Sequence, residues 1–213
     1  YKKKYSEKIL LSKLLPIYYY RPKVQEELNK SELTKKNIYF CPQSLFKIDL
    51  EFDLIVKKIL EKDKFLKIYF IKDREKNLFK NLTSRLGKII PENIDRVFFL
   101  DRLNSQEFIN FCGSSSVLIN PLNYHSGNSF FDSLYYGTPF FANKATEERS
   151  SIVQGGYKQM KIQKPPLFSN VDDYVDNAVE IANKDIYDLK MFYRESAIKY
   201  LYENLDSIRE IEK

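Results

Sequence analysis

Two short stretches of this chain carry residues that could hold a charged ligand. The first is Cys41-Pro42-Gln43-Ser44-Leu45-Phe46-Lys47-Ile48, which follows an apolar run typical of a strand and leads into a helical pattern. The second is His125-Ser126-Gly127-Asn128-Ser129, about eighty residues further on. In open α/β sheets, the loops that leave the carboxyl ends of parallel strands form the edge where ligands bind. We therefore predict that these two loops grip one diphosphate.

Lys47 is the cation at this edge, just before the first convincing helix. A diphosphate carries negative charge that increases as it departs, and lysines, arginines and helix N-termini can offset that charge without a metal. Gln43 and Ser44 could donate hydrogen bonds from the same loop. The alternative is that Lys47 is an ordinary surface lysine and that Gln43 and Ser44 are ordinary turn residues.

The second loop enters a helix at Gly127, Asn128 and Ser129. Free N–H groups at a helix start, together with the close backbone approach that a glycine permits, suit a phosphate. Asp132, one turn into the helix, could accept hydrogen bonds from ribose hydroxyls. A structural alternative is equally consistent with the local sequence, because Ser129 and Asp132 have the spacing of a capping box and an acid is favoured in a first turn.

Two further side chains near these loops are candidates. His125 is the only histidine of the chain, so histidine catalysis within these residues would require it; a ligand contact or a bystander is the alternative. Arg149, after the fifth predicted strand, could reach a phosphate or could pair with Glu147 or Glu148.

The sequence contains no convincing pattern of metal ligands. Asp172 and Asp173 are the nearest approach to a metal-binding acidic pair, but they open a helix where capping residues are expected. Cys41 and Cys112 are the only cysteines, without a CxxC or a Cys/His cluster, which is typical of a reducing compartment and argues against a structural zinc or disulfide. We predict neither a metal nor a bound cofactor.

Strands and helices alternate around these loops. Strands are predicted at residues 38–41, 66–71, 96–100, 116–119 and 139–142, with a weak one around residues 160–162. Helices are predicted from residue 50, at 75–86 ended by Gly87, at 104–112, at 129–136 closed by Gly137, at 148–154 before Gly155 and Gly156, at 171–181 and at 186–211. This order predicts right-handed crossovers and a Rossmann-like parallel sheet with helices on both faces, followed by C-terminal helices.

The net charge of +6 is confined to one part of the chain of 213 residues. Residues 1–36 carry nine Lys and one Arg against four Glu, whereas the remainder has 25 basic and 25 acidic residues. A solvated arm is therefore favoured over a nucleic-acid surface. We interpret residues 1–36 as a connector from a preceding domain that is not present, and residues 37–213 as the Rossmann-like domain with its helical extension.

Nothing in the sequence indicates a membrane protein. No apolar run approaches the roughly 18 residues of a membrane-spanning helix, and the N-terminus does not read as a signal peptide. We expect a cytoplasmic protein that contacts neither a membrane nor nucleic acid.

Taken together, the two loops resemble the C-terminal catalytic domain of the O-linked N-acetylglucosamine transferases (SPINDLY type). Residues 39–48 and the following Asp49-Leu50-Glu51-Phe52-Asp53 are similar to a bacterial form that reads close to CPQSLFKIHPDFD. Residues 117–121, continuing through Asn128, Ser129 and Asp132 to Gly137-Thr138-Pro139, are similar to the family's LDP...GGNT...E/D...GTP run. The resemblance covers residues 37 to about 200.

This resemblance implies the donor-binding half of a GT-B glycosyltransferase, an inverting enzyme that needs no metal and uses UDP-GlcNAc. It implies that Lys47 stabilises the β-phosphate of the leaving UDP and that Asp132 takes the ribose hydroxyls. The backbone around Leu103 would meet the uracil, and Phe108 stands where a relative carries a base-stacking histidine. The nucleotide and its diphosphate would lie against Gln43, Ser44, Gly127, Asn128 and Ser129.

Besides Phe108, and Asp49 and Leu50 in place of the His and Pro of the first motif, the chain departs from the family pattern within the second motif: Asn120 replaces an aspartate, Ser126 a glycine and Ser129 a threonine. The family's N-terminal catalytic half and its TPR superhelix lie outside these 213 residues, so the resemblance implies a fragment that is inactive alone and that would act on a protein acceptor only as part of a larger polypeptide. Two alternatives remain open. One is an enzyme like the UDP-GlcNAc 2-epimerases, and the other is a non-catalytic nucleotide-binding or scaffolding module.

Overall fold

A computed structural model describes residue 6 and residues 12–124, 126–144, 151–210 and 212. Within these ranges the strands are β1 Ile38–Phe40, β2 Lys67–Ile71, β3 Val97–Leu100, β4 Val117–Ile119, β5 Phe140–Asn143 and β6 Leu167–Phe168. The α-helices are α1 Lys30–Leu33, α2 Leu50–Lys62, α3 Lys76–Ile89, α4 Ser105–Ser114, α5 Asn128–Ser133, α6 Ser151–Gln159, α7 Val171–Ala182, α8 Tyr187–Tyr200 and α9 Leu205–Arg209. Short 3-10 turns occupy Leu45–Lys47, Pro91–Arg96 and Leu134–Tyr136.

All six strands are parallel and lie in the order β3-β2-β1-β4-β5-β6. The chain therefore builds the sheet outward from β1 to β3, crosses back, and builds the other half from β4 to β6. The strand order reverses between β1 and β4, which is the topological switch point where ligands bind in open α/β sheets. The loops predicted to hold the ligand follow these two strands.

Helices cover both faces of the sheet, as predicted. One apolar core lies under α2, α3 and α7, and the other lies under α4, α5, α6 and α8. The predicted stripe on α2 is wholly inside the first core, and it consists of Phe52, Ile55, Val56, Ile59 and Leu60. Asp49 caps α2 by accepting a hydrogen bond from the N–H of Phe52, which orients the helix directly after the first loop.

Gly87 does not end its helix, contrary to the prediction. It lies inside α3, which continues to Ile89, and a Cβ placed on Gly87 would meet no atom within 4 Å. The helix ends instead just before Pro91, whose ring cannot continue it. Gly137 behaves as predicted, because it closes the helical stretch after Tyr136 with a φ of 71°.

Gly155 and Gly156 also lie within a helix, although they were predicted to stop one. A Cβ on Gly156 would come within 2.3 Å of the Phe130 ring, and one on Gly155 within 2.6 Å of the Leu15 side chain. These glycines let α6 pack closely against α5 and the N-terminal chain. The predicted start of this helix before residue 151 lies outside the described residues.

Two predictions for the C-terminal part were wrong. Residues 160–162 form no strand, because Lys161 adopts a positive φ of 61°, and the sixth strand is β6, some five residues later. The helical region from residue 186 is divided into α8 and α9 by a turn at Glu203, which has a φ of 52°. The last part of this prediction, Ile211, is outside the described residues.

Residues 12–36, called the N-terminal segment below, pack along the domain. Leu15, Ile17 and Tyr19 lie against the second core, and Leu28 lies against Tyr136, whose hydroxyl accepts a 3.0 Å hydrogen bond from the Leu28 N–H. The basic side chains of this segment that lie within the described residues remain at the surface or half-buried.

A buried lysine ties three elements together on this side of the fold. Lys190 of α8 is wholly buried, and its Nζ donates to the carbonyl oxygens of Leu33 at 2.8 Å, Gly113 at 2.6 Å and Ser115 at 2.8 Å. The lysine thus binds the carbonyl-rich ends of α1 and α4, where a cation is favoured.

Both cysteines are wholly buried. Burial raises the pKa of the Cys41 thiol to about 12, and it raises the pKa of Cys112 well above its ordinary value. Both thiols are therefore held protonated inside the domain.

Candidate functional site

The structure places the two predicted loops against each other across β1 and β4. The rings of Phe46 and Tyr124 meet edge to face with centroids 6.0 Å apart, and the Asn123 amide donates a 2.8 Å hydrogen bond to Asp49 Oδ2. Lys47 Nζ lies 6.0 Å from the centre of the Tyr124 ring. Lys47 therefore lies beside the residues that lead into the second loop, at the same edge of the sheet.

Lys47 is half-buried, and its ammonium group lies close to Phe46 and Tyr124. Its Nζ donates a 2.7 Å hydrogen bond to Gln43 Oε1, and no carboxylate pairs with it within the described part of the chain. Burial lowers the pKa of Lys47, and the nearby Cys41 acts in the opposite direction. An ammonium group that is partly desolvated and lacks a counter-ion is suited to receive an anion.

Three buried polar side-chain atoms lack a hydrogen-bond partner in the ranges that the structure describes; two belong to the two loops, and the third belongs to Asn120, which directly follows β4. They are Gln43 Nε2, Asn120 Oδ1 and Ser126 Oγ. Buried polar atoms are nearly always paired in native proteins, so each unpaired one has room to bond a water, an ion or a polar ligand. Gln43 and Ser126 can both donate to phosphate oxygens.

Asn120, one of the departures from the family pattern, shapes the second loop. Its Nδ2 donates to the carbonyl oxygens of Pro121 and Tyr124, each at 2.9 Å. An aspartate carboxylate at this position could not make either bond, because it has no N–H to donate. The amide therefore has a structural role that the sequence alone did not reveal.

Two clefts open at the carboxyl edge of the sheet, and Leu103 lines both. The first, of 240 Å³, lies above β1, β2 and β3 and is lined by Gln43, Ser44 and residues that follow β2 and β3. Two of these residues, Arg74 and Arg102, were missed by the sequence reasoning, and their guanidinium groups make no ion pair within the described residues. The loops after the two strands carry mixed charges, so neither arginine stood out by type or spacing.

The second cleft, of 440 Å³, lies between the starts of α4 and α5, and its volume is within the roughly 300–1,000 Å³ of ligand pockets. It is lined by predicted residues from three elements: Leu103, Phe108, Asn128, Ser129 and Asp132. The Phe108 ring is half-buried and packs edge to face with Phe40 at a centroid distance of 6.0 Å, so part of the ring remains exposed in the cleft. Pro22 and Lys23 of the N-terminal segment complete the wall.

The start of α5 is open rather than capped by a side chain. Gly127 is the N-cap residue, no side chain caps the helix, and a Cβ added to Gly127 would meet nothing within 4 Å. The alternative of a capping box formed by Ser129 and Asp132 is therefore wrong. The first N–H groups of the helix remain available to a ligand.

Asp132 does not cap α5 but accepts a hydrogen bond from the N-terminal segment. The hydroxyl of Tyr19 donates a 2.8 Å hydrogen bond to Asp132 Oδ1. Burial raises the pKa of Asp132, whereas the bond from Tyr19 lowers it. This contact joins residues 113 positions apart, and no local pattern in the sequence indicates it.

His125 and Arg149, the remaining predicted site residues, lie outside the described residues. For metals, no group of three or more His, Cys, Asp or Glu side chains in the described ranges is arranged to hold an ion. Asp172 and Asp173 lie in the first turn of α7, whose N-cap is Asn170, and Asp172 pairs with Lys58 at 2.6 Å. None of the described helices is long and apolar enough to cross a bilayer.

The fold is similar to parts of several solved glycosyltransferases and related enzymes. An O-GlcNAc transferase mutant from Thermobaculum terrenum matches with a TM-score of 0.75 and 14% identity, over 93% of this chain and 36% of that chain. TarM from S. aureus, solved with UDP, alpha-GlcNAc-glycerol and Fondaparinux, matches with a TM-score of 0.59 and 12% identity, over 91% of this chain and 37% of that one. A putative UDP-N-acetylglucosamine 2-epimerase from Listeria monocytogenes matches with a TM-score of 0.51 and 15% identity, over 88% of this chain and 46% of that one.

These likenesses confirm the predicted fold: a Rossmann-like parallel sheet with the architecture of the C-terminal half of a GT-B glycosyltransferase. The chain spans 36% and 37% of the two transferases. No protein-family model matches the sequence, and no curated protein matches it either.

Proposed function

We propose that this chain is the UDP-sugar-binding half of an inverting, metal-independent glycosyltransferase that moves GlcNAc from UDP-GlcNAc to Ser or Thr side chains of a protein. The observation that carries the proposal is the junction of the two loops at the switch point. A lysine that is half-buried and has no counter-ion within the described residues lies in the loop after β1, together with the unpaired donor Gln43 Nε2, and the unpaired donor Ser126 Oγ lies in the loop after β4. This set of groups suits the diphosphate of a nucleotide sugar.

Lys47 is the residue to which we assign the chemistry. When the bond between the sugar and the β-phosphate breaks, negative charge accumulates on the departing UDP, and a fixed cation close to that phosphate lowers the barrier. Gln43 holds Lys47 through its carbonyl oxygen and leaves its own N–H group free to donate. Gly127, Asn128 and Ser129 would receive the diphosphate at the open start of α5.

The second cleft suits the nucleoside. Phe108 offers a partly open ring for the uracil, and the backbone around Leu103 offers hydrogen bonds to its edge. Asp132, half-buried in the same cleft, would accept from the ribose hydroxyls. We keep His125 and Arg149 as proposed contacts of the UDP-sugar, on the grounds of their positions in the sequence.

The names of similar proteins support this function. The Thermobaculum terrenum protein is an O-GlcNAc transferase, and TarM was solved with UDP and alpha-GlcNAc-glycerol. We further propose that an N-terminal catalytic half and a TPR region belong to the same polypeptide and supply the acceptor groove. In the GT-B plan the reacting sugar lies between two Rossmann-like domains, so this chain alone would bind the donor without transferring the sugar.

The proposal is tested by calorimetric titration of the chain with UDP, UDP-GlcNAc and uridine. Both diphosphates are expected to bind more tightly than uridine, because the loop junction recognises the phosphates. Titration of UDP with and without EDTA tests whether the site works without a metal. A parallel assay with radiolabelled UDP-GlcNAc and a protein acceptor is expected to show no transfer by the chain alone.

The outcomes separate the alternatives. Equal affinity for uridine and UDP would contradict a diphosphate site, and failure to bind any of the three would favour a scaffolding module. Conversion of UDP-GlcNAc to a 2-epimer would favour the epimerase alternative. Transfer of GlcNAc by the unaided chain would contradict the assignment of the acceptor groove to a missing half.

A further inference from the structure

The N-terminal segment is held firmly against the second cleft. The Tyr19 ring stacks on Phe131 with centroids 4.5 Å apart and planes 14° from parallel. Its carbonyl accepts a 2.9 Å hydrogen bond from the N–H of Glu203. Further along, Pro22 and Lys23 line the cleft itself. The segment therefore has a defined position beside the nucleoside end of the site.

The Tyr19 hydroxyl makes the one polar contact between this segment and a predicted ligand-binding side chain within the described residues. It donates to Asp132 Oδ1 at 2.8 Å. In the part of the chain that the structure describes, Asp132 Oδ2 takes part in no hydrogen bond. The carboxylate thus has one oxygen fixed by the protein and a second oxygen available.

The hydrogen bond from Tyr19 affects whether the Asp132 carboxyl group is ionised, because the groups around it are uncharged or distant. The thiol of Cys112 on α4 and the phenol of Tyr202 after α8 are close enough to interact electrostatically with Asp132, and burial raises the pKa of both groups so that they are uncharged near neutral pH. The Tyr202 hydroxyl donates to the Phe131 carbonyl oxygen at 2.6 Å. Lys23 lies across the cleft without an ion pair within the described residues. Burial favours the protonated form of Asp132, and the bond from Tyr19 favours the ionised form.

We propose that Tyr19 is a positioning residue that keeps the Asp132 carboxylate ionised and oriented so that its second oxygen can accept a hydrogen bond from a ribose hydroxyl. This inference rests on the proposed function. It assigns the N-terminal segment to the nucleotide site itself, in addition to any role in joining this domain to another.

The experiment removes only the hydroxyl. Tyr19→Phe keeps the ring that stacks on Phe131. Tyr18→Phe is the matched control, since the Tyr18 hydroxyl makes no hydrogen bond to any residue that the structure describes. Asp132→Asn is the reference for a side chain that does not titrate. Each variant and the unaltered chain are titrated by calorimetry with UDP, 2′-deoxy-UDP and 3′-deoxy-UDP between about pH 4.5 and 8, a range that begins above the ordinary aspartate pKa of about 3.9.

For the unaltered chain, UDP affinity is expected to fall at acid pH as Asp132 becomes protonated. Tyr19→Phe is expected to move this fall to higher pH, because loss of a hydrogen bond to the charged form raises the carboxyl pKa. It should also reduce the preference for UDP over the deoxy-nucleotide that lacks the recognised hydroxyl, by roughly 3- to 10-fold, as for the loss of one hydrogen bond. Tyr18→Phe should change neither quantity. Asp132→Asn should leave only the acid fall that belongs to the terminal phosphate of UDP, whose second pKa is about 6, so the contribution of the carboxylate is the difference between the two profiles.

A purely structural role for Tyr19 gives a different result. In that case Tyr19→Phe would lower the affinity for all three nucleotides equally, or leave the affinities unchanged, and UDP affinity would fall at the same acid pH as in the unaltered chain. Either result would overturn the inference while UDP binding by the unaltered chain upheld the proposed function. Failure of the unaltered chain to bind UDP would instead overturn the proposed function, and this inference with it.

Discussion

Lys47 and Gln43, four residues apart, form a single unit in the first loop: the Lys47 ammonium donates to Gln43 Oε1 at 2.7 Å, and Gln43 Nε2 is buried without a partner. The bond fixes the Gln43 amide so that its oxygen faces the lysine and its N–H group is left for something else. Two donors, one of them charged, are thereby held in the same loop.

Replacing this cation should weaken diphosphate binding selectively. Lys47→Ala removes a charge-assisted hydrogen bond worth about 1.5–3 kcal/mol, which corresponds to a roughly 10- to 150-fold higher Kd for UDP. Uridine affinity should not change, because uridine has no phosphate. Lys57→Ala is the control, since Lys57 is an exposed lysine of α2 that pairs with Glu61. Calorimetry measures each affinity, and a matched loss of uridine binding would contradict the assignment.

Alkaline pH should weaken UDP binding through the same residue. Burial lowers the pKa of Lys47, so its charge is lost at a lower pH than the roughly 10.4 of an ordinary lysine. Because the cation binds the phosphate, affinity falls as pH rises through this lowered pKa. Lys47→Arg keeps its charge throughout and should flatten the alkaline profile. An unchanged alkaline fall in Lys47→Arg would assign the titration to another group.

A methyl group at Gly127 should block the ligand and leave the fold intact. The added Cβ of Gly127→Ala meets no atom of the described residues within 4 Å, and under the proposed function the diphosphate occupies this space. Overpacking of this kind costs about 1–3 kcal/mol, and UDP affinity should fall roughly 10-fold or more. Thermal unfolding should show that the variant folds. Unchanged affinity for UDP would place the phosphates elsewhere.

Gly87→Ala should stabilise the domain. Gly87 lies inside α3 with open space around its Cβ position, and alanine in a helix interior is favoured over glycine by about 0.8–1 kcal/mol. In a domain of this size that raises the Tm by roughly 2–4 °C. Gly137→Ala is the opposite case, since its φ is 71° and its Cβ would lie 1.9 Å from the Lys190 carbonyl oxygen. A lower Tm for Gly87→Ala would contradict the stated reason.

Removing the buried lysine should destabilise the chain without touching the site. Lys190→Met leaves three carbonyl oxygens without their donor, and each such buried group costs about 1–3 kcal/mol. A loss of roughly 3 kcal/mol or more in the free energy of unfolding is expected from urea titration. Lys199→Met, an exposed lysine on the same helix, should have little effect. Equal losses for the two variants would show that the carbonyl contacts contribute little.

The sheet and the identity of the two loops were predictable because their signals are local. Apolar strand-like runs followed by helical stripes, such as the one from Phe52 to Leu60, fix an element and its buried face together. A loop that directly follows such a strand must then lie at the carboxyl edge. The contact between Phe46 and Tyr124 follows from that rule without any knowledge of the side chains involved.

Glycines and long-range contacts were harder to predict. A glycine that ends a helix, such as Gly137, and one that lets two helices approach, such as Gly156, look alike in sequence, because the difference is the neighbour that packs against them. The bond between Tyr19 and Asp132 depends on where the N-terminal segment lies after folding. The apolar residues of that segment, Leu15 and Ile17, were the one available signal that it packs against the domain.

The burial of Cys41 and Cys112 leaves the native surface without a reactive thiol from either native cysteine. Thiol-alkylating dyes should not react with the folded chain and should modify the two cysteines only when the chain unfolds. Ser44→Cys, at an exposed position on the rim of the first cleft, would then carry the single fluorophore of the molecule. Its emission would report donor occupancy directly, in this domain alone or within a longer polypeptide.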